Sequence, residues 1–337
     1  MPWKGEKDPY KIWLSEVILQ QTRVEQGLGY YERFVSRYPT VQQLAKAKDE
    51  DVFKLWEGLG YYSRCRNLLV TARLIKDEYS GKFPETYSDL LKLKGVGPYI
   101  AAAVASFAYN LPYAVLDGNV FRVLSRIYGI ETSIDSSAGK KQFDSLAENN
   151  LDKKNAGEYN QAIMDFGATV CKPMVPNCSS CPMKKICVAY NNGLVNHLPV
   201  KEKVLQKKLR WIYYFLFEVD GKLLVHQRTA KDIWQHLYEF YPFESSSEIN
   251  WDEKKLKAWL KNQLEVKNYQ LKEISSLQSQ QLTHQTIRGK FFKIALATVP
   301  EPLKHYQWLK PKDIKKLAFP RFINAYLETN NKSKNMG

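Results

Sequence analysis

Four cysteines packed into seventeen residues constrain this chain more than any other feature. Cys171, Cys178, Cys181 and Cys187 follow the spacing C-x6-C-x2-C-x5-C, while the fifth cysteine, Cys65, stands alone. In a reducing compartment such a group reads first as a metal site and only then as disulfides. Four thiolates on a short irregular loop suit a cuboidal [4Fe–4S] cluster, which is held by cysteine alone. Structural zinc is the rival, although its ligands more often come as two separated C-x2-C pairs. A cluster bound entirely by protein ligands leaves no open position for a substrate, so a structural role is expected. Cys65, in Tyr62-Ser63-Arg64-Cys65-Arg66, reads as a small buried helix residue.

With 337 residues, 44% of them hydrophobic, the chain can bury two cores. Lys plus Arg number 50 against 35 Asp plus Glu, a formal net charge of +15. Such a surface should bind polyanions, and charge alone leaves DNA, RNA and anionic membranes open. No apolar run is long enough to span a bilayer, and Met1-Pro2-Trp3-Lys4-Gly5 lacks the apolar core of a signal peptide. A soluble cytoplasmic protein without a membrane partner is expected.

Residues 8 to about 170 read as short amphipathic helices. Asp8-Pro9 can cap and begin the first, with Tyr10, Trp13, Leu14, Val17 and Ile18 on one buried face and Glu16 and Gln20 on a different one. The Lys-rich stretch between Val200 and Arg210 (Lys201, Lys203, Lys207, Lys208) reads as a linker. From Trp211 the pattern becomes strand-like: Trp211 to Val219 and Lys222 to Gln227 flank Asp220-Gly221, a hairpin signal because that turn needs positive φ. A helix over 252–264 (Leu256, Trp259, Leu260, Leu264) and strand-like segments around 290–299 complete a mixed α and β half. The polar tail begins after Thr329.

Three further features carry chemistry. Leu93-Lys94-Gly95-Val96-Gly97-Pro98-Tyr99 joins two helical segments through a tight glycine turn, and the N–H groups that open the next helix can face a phosphate. Read alone, it is equally an ordinary helix–helix turn. Glu16 sits in an otherwise apolar or amide-bearing helix, and Asp117 lies at an apolar-to-helix junction in Leu116-Asp117-Gly118-Asn119-Val120. By pattern, Glu16 is a solvated helix residue and Asp117 an N-cap. Chemically, two acids in unlike environments could protonate a departing base and stabilise the sugar cation.

Taken together, these pieces closely resemble the MutY-type adenine DNA glycosylases of the helix-hairpin-helix superfamily. The motifs are Ser15-Glu16-Val17-Ile18-Leu19-Gln20-Gln21-Thr22, Gly58-Leu59-Gly60-Tyr61-Tyr62-Ser63-Arg64, Gly95-Val96-Gly97, Leu116-Asp117-Gly118-Asn119-Val120 and the four cysteines, from residue 2 to about 190. The resemblance implies a base-excision-repair enzyme with a [4Fe–4S] cluster, acting as a monomer on double-stranded DNA that contains adenine opposite 8-oxoguanine or guanine. It makes Glu16 the general acid at adenine N7 and Asp117 the stabiliser of the sugar cation, assisted by Tyr99 and Asn119. Gln21 and Tyr61 match residues that wedge into the duplex, and Leu19 is expected to line the pocket. In the endonuclease III-type pyrimidine glycosylases, which share fold and cluster, a Schiff-base lysine stands where this chain has Tyr99, and a tyrosine cannot form the imine. A monofunctional enzyme is therefore expected. The remaining alternative is a non-catalytic iron–sulfur DNA-binding protein, against which the two acids argue.

The C-terminal half resembles, more faintly, the Nudix-like module that reads 8-oxoguanine in this family, through Gln227-Arg228-Thr229, Ile233-Trp234 and Leu237-Tyr238-Glu239-Phe240. It lacks the Glu-rich box needed for magnesium. The family's Phe-Ser-His loop appears as Leu282-Thr283-His284, which keeps a hydroxyl and an imidazole for 8-oxoguanine recognition. Family members usually carry a helix before the Leu-Pro-Trp segment, whereas this chain starts at Met1-Pro2-Trp3. Lys4 replaces the Arg or Gln common there, and no adenine contact is assigned to it.

The expected fold is multi-domain: an all-α helix-hairpin-helix glycosylase with a cluster loop, then a mixed α+β Nudix-like domain. The expected boundaries are 1–200 (six-helix barrel about 23–112; cluster domain from 1–22 and 113–200), a linker 201–209, a recognition domain 210–330 and a disordered tail 331–337. If bacterial, the protein should associate with the nucleoid.

Overall fold

The first helix shows how this sequence builds its interior. Asp8 adopts extended backbone and its carboxylate accepts the Tyr10 N–H, while Pro9 supplies the first helical φ, so α1 runs Pro9–Leu19 as expected. In this computed structural model, which describes residues 4–202 and 206–334, α1 is enclosed on all sides: Tyr10, Ile12, Trp13, Leu14, Ser15, Glu16, Val17 and Ile18 are all buried. The expected split into an apolar and a polar face is therefore corrected. Met1-Pro2-Trp3, Lys203 of the expected linker and residues 335–337 of the expected tail lie outside the described residues.

The helices that follow are α2 (Val24–Arg37), α3 (Val41–Lys46), α4 (Asp49–Trp56), α5 (Tyr62–Glu78), α6 (Tyr87–Leu90), α7 (Pro98–Tyr109), α8 (Gly118–Tyr128), α9 (Ser137–Asn150), α10 (Ala156–Thr169) and α11 (Val188–Asn191). The chain divides into two compact units. One comprises the described residues of Met1–Ala47 and Arg64–Val204, the other those of Lys48–Ser63 and Leu205–Gly337.

In the first unit, α7 is the central element, packed by α1, α6 and α10. Its run Ala101-Ala102-Ala103-Val104-Ala105 is fully buried, and these short side chains let neighbouring backbones approach. A Cβ at Gly157 of α10 would lie 2.5 Å from the Ser106 carbonyl oxygen, so only glycine fits there. Val120 and Leu124 of α8, Phe143 of α9 and Met164 of α10 close a core with Ala102 and Ala103.

The second unit is a nine-stranded mixed sheet with helices on both faces. Its strands are β1 (Lys208–Val219), β2 (Lys222–Gln227), β3 (Tyr238–Glu239), β4 (Tyr241–Ser245), β5 (Gln270–Ile274), β6 (Gln278–Gln281), β7 (Gln285–Gly289), β8 (Phe291–Ala295) and β9 (Gln307–Leu309). Central β1 runs antiparallel to β2 and β4 and parallel to β7 and β8. The Asp220-Gly221 turn has φ of 49° and 68°, the two positive angles the hairpin signal requires. On one face Trp211, Tyr213, Phe215 and Phe217 meet Leu256, Leu260 and Leu264 of α12 (Glu253–Leu264). On the other, Tyr214 stacks on Phe291, and Phe291 on Tyr326 of α14 (Arg321–Lys334), with ring centroids 5.4 and 4.0 Å apart. Between them lies the short α13 (Pro311–Ile314).

Two expected boundaries move. Strand β1 begins at Lys208, inside the expected linker, because Lys208 pairs with Gln285 at the start of β7. Helix α14 continues through Lys334, so the described part of the expected disordered tail is helical, carried on by the anchored face of Phe322, Ile323 and Tyr326.

Motif residues of the C-terminal half form a buried ionic network. Glu239, 2% exposed, accepts from the Tyr214 hydroxyl and from Arg228, which also bonds Asp232. Arg210 then ties Asp232 to Glu244. Paired charges of this kind, once desolvated, must keep every partner.

Candidate active site

Glu16 is 5% exposed despite being ionisable, because α1 is walled in by apolar helices. Its Oε2 accepts a 2.7 Å hydrogen bond from the Tyr99 hydroxyl. Tyr99 follows Pro98 at the start of α7, directly after the glycine hairpin, which is how the turn delivers the phenol to the acid. Burial pushes the Glu16 carboxyl up to about 7, assisted by the nearby Asp117 charge, while the Tyr99 bond pulls it down. Burial also raises the Tyr99 phenol well above its ordinary value.

Asp117 caps α8, its Oδ1 accepting the Asn119 and Val120 N–H groups at 2.8 and 2.7 Å. Its Oδ2 accepts from the Asn119 amide at 2.7 Å. Burial raises this carboxyl, and the three donors and the charge of Arg122 oppose the rise. The N-cap reading of Asp117 is therefore correct as geometry and compatible with a chemical role. Asn119 is braced in turn: its Oδ1 accepts from Arg122 at 2.8 Å, and Gly167 of α10 lies so close that a Cβ would stand 2.7 Å from the Asn119 Cβ.

A cavity of about 290 Å³ opens beside Glu16, lined among others by Lys4, Ser15, Phe107, Gly157 and Gln161. It lies at the small end of ligand pockets, suited to one planar heterocycle. Leu19 does not line it. As a correction, Leu19 ends α1 against α2, where a Cβ on Gly27 would come within 2.7 Å of its Cδ2. Lys4 lines the cavity and pairs with Asp165 at 2.8 Å.

The hairpin tip is exposed. Gly95 has φ +79°, and a Cβ there would meet Asn67 at 2.8 Å, so the turn requires glycine. Gly97 caps α7 with no side-chain bond to its first N–H groups. Gln21 and Tyr61 are both exposed and both held at positive φ, 53° and 49°. Non-glycine residues keep that conformation where surroundings impose it. In the second unit Tyr61 hydrogen-bonds through its hydroxyl to Thr283, and Thr283 and His284 are exposed on the turn between β6 and β7.

The four cysteines line a common, otherwise mostly apolar cavity with Arg126, Phe166, Met183 and Val195. Among the described residues no group of His, Cys, Asp or Glu stands ready to hold a single metal ion. Two arginines strap this loop to α8. Arg122 donates to the Cys171 carbonyl at 2.7 Å, and Arg126 to the Lys172 and Pro173 carbonyls at 2.7 and 3.0 Å and to the Cys171 Sγ at 3.5 Å. A continuous chain of hydrogen bonds thus runs from the cysteine loop through Arg122 and Asn119 to Asp117. Sequence reasoning missed Arg122, Gln161 and Asp165; on a helical wheel each is an ordinary polar residue.

Comparison with known proteins decides the family. The model of the HhH-GPD superfamily base excision DNA repair proteins matches residues 14–149, and a NUDIX domain model matches 212–329. The adenine DNA glycosylase of Buchnera aphidicola subsp. Schizaphis graminum (strain Sg) is 37% identical over 254 residues, 74% of this chain and 73% of that protein. The chain belongs to the adenine DNA glycosylase family. The Homo sapiens adenine DNA glycosylase is 42% identical over 198 residues, covering 56% of this chain and 36% of that one. Among solved structures, a thermostable thymine-DNA glycosylase superposes with a TM-score of 0.53 at 30% identity, over 57% of this chain and 88% of that chain. An endonuclease III–DNA complex shares the fold, with a TM-score of 0.50 at 23% identity over 56% of this chain and 87% of that chain. This adenine DNA glycosylase has no helix, among its described residues, long and apolar enough to cross a membrane.

The raised Glu16 carboxyl makes the site a measurable burden on the glycosylase fold. The unfolded chain ionises near 4.5 and the folded one near 7, so stability is lost as pH rises between those values and stays lost above them. Glu16→Gln, uncharged throughout, should match the wild type at pH 4 and exceed it at pH 8 by on the order of 1–3 kcal/mol. Thermal melts at the two pH values check this; equal melting at pH 8 would mean that Glu16 is solvated.

Proposed function

We propose that this adenine DNA glycosylase excises adenine mispaired with 8-oxoguanine or guanine in duplex DNA, without a lyase step. The observation that carries the reading is a buried carboxyl, still protonated near neutral pH, at the edge of a cavity sized for one base. Adenine swings out of the stack into that cavity, and the N–H groups that open α7, left without a side-chain cap after the Gly95-Val96-Gly97 turn, hold a backbone phosphate. Gln21 and Tyr61, each exposed and at positive φ, are the residues we assign to entering the duplex.

Glu16 gives its proton to adenine N7 as the C1′–N9 bond breaks and its electron pair leaves with the base. The ionised Asp117 carboxylate faces the developing sugar cation, with Asn119 holding its orientation and Tyr99 holding that of Glu16. The Glu16 carboxylate then takes a proton from the water that attacks C1′, which restores the acid. The Tyr99 hydroxyl is committed to Glu16 and offers no amine for an imine, so no Schiff base forms.

Cys171, Cys178, Cys181 and Cys187 hold a [4Fe–4S] cluster with a structural role. The all-thiol donor set, the apolar lining and the neighbouring Arg126 charge support this over zinc. The purified protein should be yellow-brown with nearly equal iron and sulfide, and stoichiometric zinc in a colourless anaerobic preparation would refute the assignment.

On the β6–β7 turn, Thr283 and His284 present a hydroxyl and an imidazole for the base opposite adenine. Removing residues from 210 on would also strip the partners of the Lys48–Ser63 segment, since Lys54 bonds the Leu317 carbonyl and Glu57 accepts the Phe319 N–H. Point variants are therefore the better test. Glu16→Gln and Asp117→Asn should each lower single-turnover adenine release by roughly 10²–10⁴ while duplex binding survives. Thr283→Ala with His284→Ala should slow release opposite 8-oxoguanine by roughly tenfold more than release opposite guanine. Equal slowing on both duplexes would remove the turn from recognition, and near-wild-type release by either acid variant would remove that acid from its role.

A further inference from the structure

Asp165 of α10 receives two residues that line the cavity at Glu16. The Gln161 side-chain amide donates to its Oδ1 at 3.0 Å, and the Lys4 ammonium meets its Oδ2 at 2.8 Å. An ionised carboxylate can only accept hydrogen bonds. Whatever faces Asp165 must therefore be the NH2 end of the Gln161 amide, and its carbonyl oxygen must point elsewhere. That oxygen has no protein donor among the described residues. The Lys4 ammonium donates to the other oxygen, so both Asp165 carboxylate oxygens serve as acceptors.

Resting on the reading of this cavity as the adenine site, we propose that Asp165 is a positioning residue that fixes the Gln161 amide with its oxygen toward the cavity, and thereby sets the preference for a base carrying an exocyclic amine. Adenine offers N–H donors at C6, and a carbonyl oxygen is the partner those donors need. An amide free to turn would offer NH2 and oxygen alike, and the preference would disappear. The Lys4–Asp165 pair is largely exposed, with side chains 59% and 30% accessible, so it contributes little to stability. Orientation, and not fold stability, is what this carboxylate supplies. Gln161 and Asp165 stand four apart on one helix, a spacing at which such a bond also forms on any helix surface. The test must therefore read base preference and not overall activity alone.

Single-turnover base release by the full-length protein is measured on duplexes carrying adenine, or purine with hydrogen in place of the amine, opposite guanine. Asp165→Asn removes the accept-only group and lets the amide turn. The adenine-to-purine rate ratio should fall roughly tenfold, the worth of one base-edge hydrogen bond. Asp165→Glu, which keeps a carboxylate, should restore most of that ratio. A ratio unchanged in Asp165→Asn, whatever the absolute rates, overturns the proposal, because a merely structural loss slows both bases alike. So does a lowered ratio that Asp165→Glu leaves lowered.

Discussion

The burial of the Glu16 carboxyl is the constraint around which the helical unit is organised. An ionised carboxylate at that depth would cost several kcal/mol, so the group stays neutral to a higher pH than usual. Keeping it dry requires a helix buried on all its faces, which in turn requires the small side chains of α7 and the close approach of α10 at Gly157. The second acid, Asp117, is also buried and its carboxyl is also raised. There, however, two backbone N–H groups, an amide and the Arg122 charge oppose the rise, against the single Tyr99 bond at Glu16. Two carboxyls of one chain are thus pushed apart in character by their surroundings, the condition for one to act as acid while the other stays an anion.

The arginines of α8 explain how a loop can matter to chemistry it does not touch. Arg122 bonds the Cys171 carbonyl, the Gly167 carbonyl and the Asn119 side chain together, so Asp117 inherits its setting partly from the cysteine loop. Buried guanidinium groups left without these acceptors would be costly. A metal group that organises the loop would therefore support the orientation of Asp117 at a distance, without entering any step.

Much of this was legible in sequence because local rules and tertiary demands agree. Asp8-Pro9 caps α1, Asp220-Gly221 turns a hairpin, and both acids sit in the motifs that named them. Where tertiary structure overrides a local pattern, the sequence misleads. Glu16 falls off the apolar stripe of α1 and so reads as solvated, yet the neighbours of α1 enclose the whole helix. Leu19 reads as a pocket residue but packs on α2. Strand β1 starts early because of a partner nearly eighty residues away. Gln161 and Asp165 give no signal, since an i,i+4 polar pair looks the same on any helix, and only the cavity reveals what the amide faces. The grouping of Lys48–Ser63 with the sheet unit is likewise a matter of contacts that periodicity does not encode.

The central claim is that a neutral Glu16, tuned by burial against the Tyr99 bond, delivers the proton. Its most direct test is the pH dependence of single-turnover adenine release in wild type and Tyr99→Phe. The account predicts a wild-type rate that falls as pH rises through about 7, where Glu16 ionises. Loss of the phenol removes a bond that favours the ionised form, so in Tyr99→Phe that fall should move to higher pH. A fall that stays in place or moves to lower pH would contradict the claim that Glu16 is the group being titrated.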